Sequence, residues 1–334
     1  MKRSAAVVSL LLLTSVAATG CSGDDGPSIV VYNAQHEQLL EEIAPLFEEE
    51  TGIDVQLRNG KDSELAAQLV QEGDASPADV FLTENSPAMS AVERAGLFAE
   101  LGDGATAPIP EQFRPSSGLW TGFVARSTVL FYNPGLVDEA DLPESLLDLA
   151  DPAYDGLLSF SPTGADFQAI VAAVLELEGE EATRAWLAGI KANGTVYDGN
   201  NVVLESVDAG ESAMGIAYHY YWYRDQAESG EVSDNTELHF FGNQDPGAFL
   251  SISGAGVLAS SDSPTEAEQF VEFLTSEKGQ QALADSYALE YPLNPAVELA
   301  PPVKPLSELQ PPVVNVSDLD GDTVVDLMTE AGFL

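Results

Sequence analysis

Residues 28–57 read SIVVYNAQHEQLLEEIAPLFEEETGIDVQL, and the hydrophobic period changes twice along them. Residues 28–32 form a short strand-type run. Leu39, Leu40, Ile43, Leu46 and Phe47 then fall at helical spacing, with Gly52 as the stop. Residues 53–57 return to strand type. Working outward, residues 64–71 read as a helix, 79–82 as a short buried strand and 87–96 as a helix ending at a glycine. This β-α-β-α-β order predicts a parallel sheet covered on both faces.

A similar alternation returns after Tyr132. Residues 157–160 predict a strand, and 167–177, 181–191 and 202–209 predict helices. A strand over 254–258 and a long helix over 265–274 follow, with Gly279 opening a further turn. There is no internal repeat and no low-complexity tract. The Pro-rich stretch over 301–312 reads as a surface crossing rather than a domain boundary. At 334 residues and 45% hydrophobic composition, the chain has material for two α/β lobes of roughly 150 residues each.

The N-terminus carries Lys2 and Arg3, an apolar run over 5–13, and then Ala18-Thr19-Gly20-Cys21. The apolar run is well short of the roughly 20 residues a bilayer span needs, so it reads as an export signal. Small residues before Cys21, the only cysteine, match a lipoprotein cleavage site at which the thiol takes a diacylglycerol. The competing reading is ordinary signal cleavage with an incidental cysteine, and Ala18 stands where leucine is commoner. Residues 1–21 are therefore expected to be signal and lipobox, and 22–27 a polar tether. A lone cysteine at that place excludes an internal disulfide and a Cys-based metal site.

The formal charge is −43, and removal of Lys2 and Arg3 makes it more negative. Nucleic acid and anionic membrane surfaces are repelled by such a chain. The acids are spread along the whole sequence, as in a solvated acidic surface. Two exported, tethered α/β lobes suggest a substrate-binding protein that closes on its ligand by a hinge, although alternation alone also describes many enzymes.

Chemistry-bearing residues sit at predicted element ends. Val31-Tyr32-Asn33-Ala34-Gln35-His36 puts a histidine just past the first strand, and Phe81-Leu82-Thr83-Glu84-Asn85 puts a carboxylate past the third. Ligands of open α/β sheets collect at that edge. Tyr218-His219-Tyr220-Tyr221-Trp222 supplies three phenols in four residues. Adjacent tyrosines in a regular element are expected to point apart, so convergence of Tyr220 and Tyr221 on one ion predicts irregular backbone there. Fe³⁺ prefers oxygen donors and drives their deprotonation. Two phenolates and one carboxylate neutralise it, and a neutral imidazole completes a set of four. Taken singly, His36 reads as a hydrogen-bonded histidine, Glu84 as a helix-start charge, and the tyrosines as aromatic packing.

Five stretches carry a resemblance: Tyr32-Asn33-Ala34-Gln35-His36, Ser76-Pro77-Ala78-Asp79-Val80-Phe81, Tyr220-Tyr221-Trp222, Asp245-Pro246-Gly247-Ala248 and Glu290-Tyr291-Pro292-Leu293-Asn294-Pro295. From Tyr32 to about Phe333 the chain resembles the bacterial ferric ion-binding proteins, iron-binding members of the periplasmic binding protein family with the two-lobed class II fold. That resemblance implies an α/β protein with a mixed sheet and flanking helices in each lobe, and a hinge between them. It implies Fe³⁺ ligation by His36, Glu84, Tyr220 and Tyr221, and delivery to the permease and ATPase subunits of an ABC transporter. A synergistic anion, phosphate or carbonate, is also implied at the segment Pro162-Thr163-Gly164-Ala165-Asp166, with Asn200 matching an anion-contacting asparagine. Helix N-termini suit anions.

Two departures stand out. Asp166 replaces a small neutral residue, and Tyr218 replaces an asparagine. Asp166 either turns outward to cap the following helix, or it or Tyr218 weakens or replaces the anion as an oxygen donor. Arg126 is expected to balance the added negative charge. Crossing strands are expected near 125–132 and 250–253. They divide the chain into residues 28–127 with 253–303, and residues 128–252 with 304–334, acting as a monomer on the outer face of the cytoplasmic membrane.

The competing ligands on this scaffold are an oxyanion, a polyamine or thiamine, none of which calls for His36 with two tyrosines. A secreted metal-dependent hydrolase is a further alternative, but no H-E-x-x-H, G-x-S-x-G or cysteine nucleophile is present. Asp318-Leu319-Asp320-Gly321-Asp322 lacks the glycine placement and closing glutamate of a calcium loop and reads as a turn. His219 is expected to support the site rather than ligate, and His239 is the remaining histidine.

Overall fold

The computed structural model describes residues 26–316 and 318–334. The expected signal, Cys21 and residues 22–25 lie outside them. Pro27 is no tether residue, because its carbonyl accepts from the Asp54 N–H at 2.9 Å and begins the sheet.

The first part of the chain runs β1 (Ser28–Asn33), α1 (Glu37–Thr51), β2 (Asp54–Asn59), α2 (Asp62–Glu72), β3 (Val80–Leu82), α3 (Ser86–Arg94), α4 (Asp103–Thr106) and β4 (Thr121–Tyr132). The middle runs β5 (Leu158–Phe160), α5 (Ala165–Asn193), β6 (Gly194–Val196), α6 (Asn200–Asp208), β7 (Met214–Tyr218), α7 (His219–Glu228) and β8 (Glu237–His239). The chain ends with β9 (Leu250–Val257), α8 (Pro264–Thr275), α9 (Glu277–Ala284), β10 (Tyr291–Pro292) and α10 (Gly321–Ala331).

Local chemistry explains the boundaries. In α1 the residues Leu39, Leu40, Ile43 and Phe47 are buried on one face. Gly52 ends the helix in the left-handed region at φ 74°, and its N–H closes on the Glu48 carbonyl. The two helices expected over 167–177 and 181–191 are the halves of α5, separated at Gly179, whose φ of 82° and ψ of 170° are non-helical. Asp320 caps α10 by accepting from the N–H groups of Asp322 and Thr323, so the acidic stretch around it is a helix start.

The strands form one sheet in the order β2-β1-β3-β9-β4-β7-β5-β6, with β10 and β8 also paired to β4. The parallel pairing expected for the first half holds for β1 with β2 and with β3. β9 then adds antiparallel to β3, which makes the sheet mixed. β4 is buried at every position and starts four residues before the expected crossing. Its residues 121–127 pair with β9, and its residues 128–132 pair with β7. One continuous strand therefore links two packed regions.

On the β1 side, Leu40, Phe47, Phe123 and Phe270 share a core. On the β7 side, Leu130, Phe160, Phe167, Trp186 and Phe333 share another. Several ring stacks tighten the second, with Phe167 lying parallel to both Phe160 and Trp186.

Candidate metal site

His36 follows β1 and occupies the N-cap position of α1 without capping it. Its loop is pinned by neighbours: the Asn33 amide donates to the Gln35 carbonyl and to Asn59, and the His36 N–H donates to Gln35 Oε1. The imidazole Nε2 lies 3.1 Å from Glu290 Oε1 and 3.8 Å from Glu84 Oε1. The contact with Glu290 is close but poorly aligned, and Nε2 has no hydrogen-bond partner.

Glu84 follows β3. Asp62, at the start of α2, accepts from the N–H groups of Glu84 and Asn85, both at 2.9 Å. The Glu84 carbonyl receives Ser253 Oγ and the Arg126 guanidinium. With its backbone held on both sides, the carboxyl group is free to face His36. Burial, and then repulsion from Asp166, push its pKa well above the usual carboxylate range.

Tyr218 ends β7, and Tyr220 and Tyr221 lie in the first turn of α7. Contrary to expectation, this backbone is regular helix, and the two rings still stack with centroids 4.2 Å apart. Helical side chains lean toward the N-terminus, so at the first turn both rings reach past the helix end into the same space. The Tyr220 hydroxyl is fully buried and has no hydrogen-bond partner. Burial, and then Asp166, raise both phenol pKa values well above 10.

Asp166 does not cap α5, whose N-cap is Gly164. Its carboxylate points inward, where Oδ2 accepts from Asn200 Nδ2 at 2.9 Å and from the Tyr221 hydroxyl at 3.0 Å. Its Oδ1 is buried without a partner. Ala165 begins α5 beside it. The Tyr218 hydroxyl is spent on the Asp166 carbonyl at 3.1 Å, which fixes that backbone.

Arg126 does not balance Asp166 by contact. Buried on β4, it pairs with Glu290, its Nε 3.1 Å from Oε2. Burial, the largest single influence, acts to raise the pKa of Glu290, but Arg126, His36 and Arg224 together outweigh it and hold the carboxyl down at about 2. His219 stacks on Tyr291, accepts the Ser127 N–H at Nδ1 and meets the Tyr220 ring edge-on. Burial lowers its pKa to about 3, so it is neutral.

Four unpartnered atoms able to offer an electron pair therefore gather in one place, His36 Nε2, Glu290 Oε1, Tyr220 Oη and Asp166 Oδ1, with the unpartnered Arg224 Nη2 4.0 Å from Glu290 Oε1. Buried polar atoms are normally paired, and a cluster of unpaired ones is the signature of a missing partner. Among the described residues, no three His, Cys, Asp or Glu side chains can hold an ion by themselves. A complete donor set here must include the phenols.

The family model for bacterial extracellular solute-binding proteins matches residues 33–281. The "Fe(3+)-binding periplasmic protein" of Serratia marcescens is 50% identical over 329 residues, covering 98% of this chain and 97% of that one. The chain belongs to the bacterial extracellular solute-binding proteins. Another relative, the "Major ferric iron-binding protein" of Neisseria meningitidis serogroup A, is 38% identical over 86% of each chain. The crystal structure of iron-bound HitA from Pseudomonas aeruginosa superposes with a TM-score of 0.86 at 42% identity, covering 92% of this chain and all of that one. This solute-binding protein thus has the periplasmic binding protein-like α/β fold and is a binding protein, not an enzyme.

Within this solute-binding protein the structure brings His36, Glu84, Tyr220, Tyr221, Asp166 and Asn200 together, with Gly164 and Ala165 at the adjoining helix start. Glu290 and Arg224 were missed. Arg224 packs its guanidinium over the Tyr220 ring at 4.5 Å and lies 4.0 Å from Glu290. The one signal for Glu290 was its place at the head of the Glu290-Tyr291-Pro292 motif.

Proposed function

We propose that the chain captures Fe³⁺ outside the cytoplasm, with His36 and Glu84 from the β1–β3 side and Tyr220 and Tyr221 from α7 as protein donors. The observation that carries this is the convergence of unpartnered buried donors, chiefly oxygen, around two stacked phenols. Hard oxygen donors suit a small trivalent cation, and the ion's charge offsets the cost of ionising phenols that burial otherwise keeps protonated. The relatives named for ferric iron support the same cargo.

Asp166 takes the place of a synergistic anion. It is tied to Asn200 and Tyr221 and adds a negative charge that the buried Arg126–Glu290 pair does not cancel. Residues 28–127 with 253–303, and residues 128–252 with 304–334, act as two lobes about β4 and β9. The ion favours the closed arrangement by its differential affinity for it. The loaded protein then meets the permease of an ABC transporter as a monomer held at the membrane by lipid on Cys21.

The test is titration of the purified mature chain with Fe³⁺, followed by visible absorbance, alongside Tyr220→Phe and Tyr221→Phe. A phenolate-to-iron band in the parent that weakens in both variants is expected. No band with any added anion refutes iron as the cargo.

A further inference from the structure

Arg224, on α7, touches both sides of the candidate site through its side chain. On its own helix it lies over the Tyr220 ring at 4.5 Å. It also lies over the Tyr287 ring at 4.5 Å, and its Nε donates to the Ala288 carbonyl at 3.2 Å. Tyr287 packs against the β1-side core with Leu40 and Phe270. The guanidinium thus contacts both the ring of a proposed donor on its own helix and a tyrosine packed in the other half of the molecule.

The segment that receives it is held in an unusual conformation. Leu289 has a φ of 54°, in the left-handed region that branched side chains avoid. This turn sits between the Ala288 carbonyl that binds Arg224 and Glu290, whose Oε1 faces His36. Strained backbone persists where surrounding contacts over-determine it. His219 on Tyr291 lies at the start of α7 beside β4 and β10, and Tyr223 packs into the cluster that holds Tyr32 and Tyr291. Arg224 is more than a turn beyond His219, so an opening about β4 separates it from Tyr287 further than it separates His219 from Tyr291.

We propose that Arg224 is a latch that positions α7 against the Tyr287–Glu290 turn and sets how slowly bound iron leaves. This rests on the reading of the site as an Fe³⁺ site that opens to release its cargo. A guanidinium suits the task because it can lie over aromatic rings and still donate a hydrogen bond, as it does to the Ala288 carbonyl. The latch is a positioning residue and makes no bond to the ion.

The experiment loads the mature protein with Fe³⁺ and follows loss of the visible band after mixing with excess competing chelator. The parent is compared with Arg224→Ala, Arg224→Lys, Tyr287→Leu and the Ala/Leu double variant. Losing a buried cation–ring contact should speed release roughly ten- to thirtyfold. Arg224→Lys keeps the charge but not the guanidinium contacts and should fall between parent and alanine. Tyr287→Leu, whose side chain is not among the proposed donors, should speed release on its own, and the double variant should add little to either single change. Unchanged release in Arg224→Ala, or fully additive effects in the double variant, overturns the latch. Absence of a band in the parent overturns the iron reading instead. If Arg224→Ala does not fold, the Tyr287→Leu and Arg224→Lys rates decide the question by themselves, and parent-like release in both overturns the latch.

Discussion

Replacing Asp166 by asparagine keeps the shape of the side chain and removes its charge. In the parent, Asp166 Oδ2 is 2.9 Å from Asn200 Nδ2 and 3.0 Å from the Tyr221 hydroxyl. Any exogenous anion that uses Asn200 and the start of α5 must therefore come within hydrogen-bonding range of the carboxylate. At about 4 Å and an effective dielectric of about 20, two unit negative charges repel by about 4 kcal/mol, close to a factor of a thousand in affinity. Asp166 is 5% exposed, so solvent screens little of this. Asp166→Asn should bind iron more weakly than the parent in anion-free buffer, because an oxygen donor has lost its charge. It should then recover with added phosphate or carbonate, at concentrations up to about a thousandfold below those that affect the parent. The assay is Fe³⁺ titration by visible absorbance in buffers with and without each anion. A strict anion requirement in the parent, or an Asp166→Asn titration indifferent to anions, refutes the reasoning.

Glu290→Gln leaves Arg126 buried without a counter-charge, so chemical denaturation of the iron-free variant should show a loss of about 3–5 kcal/mol; a loss below about 1 kcal/mol would mean that Glu84 and Ser253 suffice for Arg126. His219 has a folded pKa near 3 against an ordinary 6.5, so the unfolded chain takes up this proton first on acidification. Its contribution to stability is complete above about pH 6.5 and is lost as the pH falls toward 3. His219→Gln should flatten the dependence of unfolding free energy on pH across that window, and an unaltered slope in the variant assigns the acid sensitivity elsewhere.

How much of this was legible in the sequence follows from how local each signal was. The strand–helix–strand period over 28–57 and the glycine stop at Gly52 are local, and the elements they predict are present. The mixed character of the sheet is not local, since the antiparallel strand beside β3 comes from residues 250–257. His36 and Glu84 were legible because each follows a strand. The tyrosine pair is visible in the sequence, but its stacking is not, because at a helix start side chains lean beyond the first turn instead of standing out as radial spokes. Asp166 could be a cap or an inward donor depending on a shift of two residues in where α5 begins, which no local feature decides. Glu290 and Arg224 meet the site through the β10–β4 pairing and the packing of α7, contacts that span long stretches of chain.

The charge distribution explains why such a site stays incomplete without a cation. Glu84, Asp166 and Glu290 crowd around two buried phenols, and the buried guanidinium of Arg126 already belongs to Glu290. Without an ion, the remaining acids can be relieved only by taking up protons or by moving apart. Protonation is what burial and mutual repulsion favour at Glu84, and separation is what the proposed movement of the two lobes about β4 and β9 would permit. A trivalent cation removes both pressures at once. Binding, proton release and closure are then three aspects of one equilibrium, and acid should drive all three backwards together.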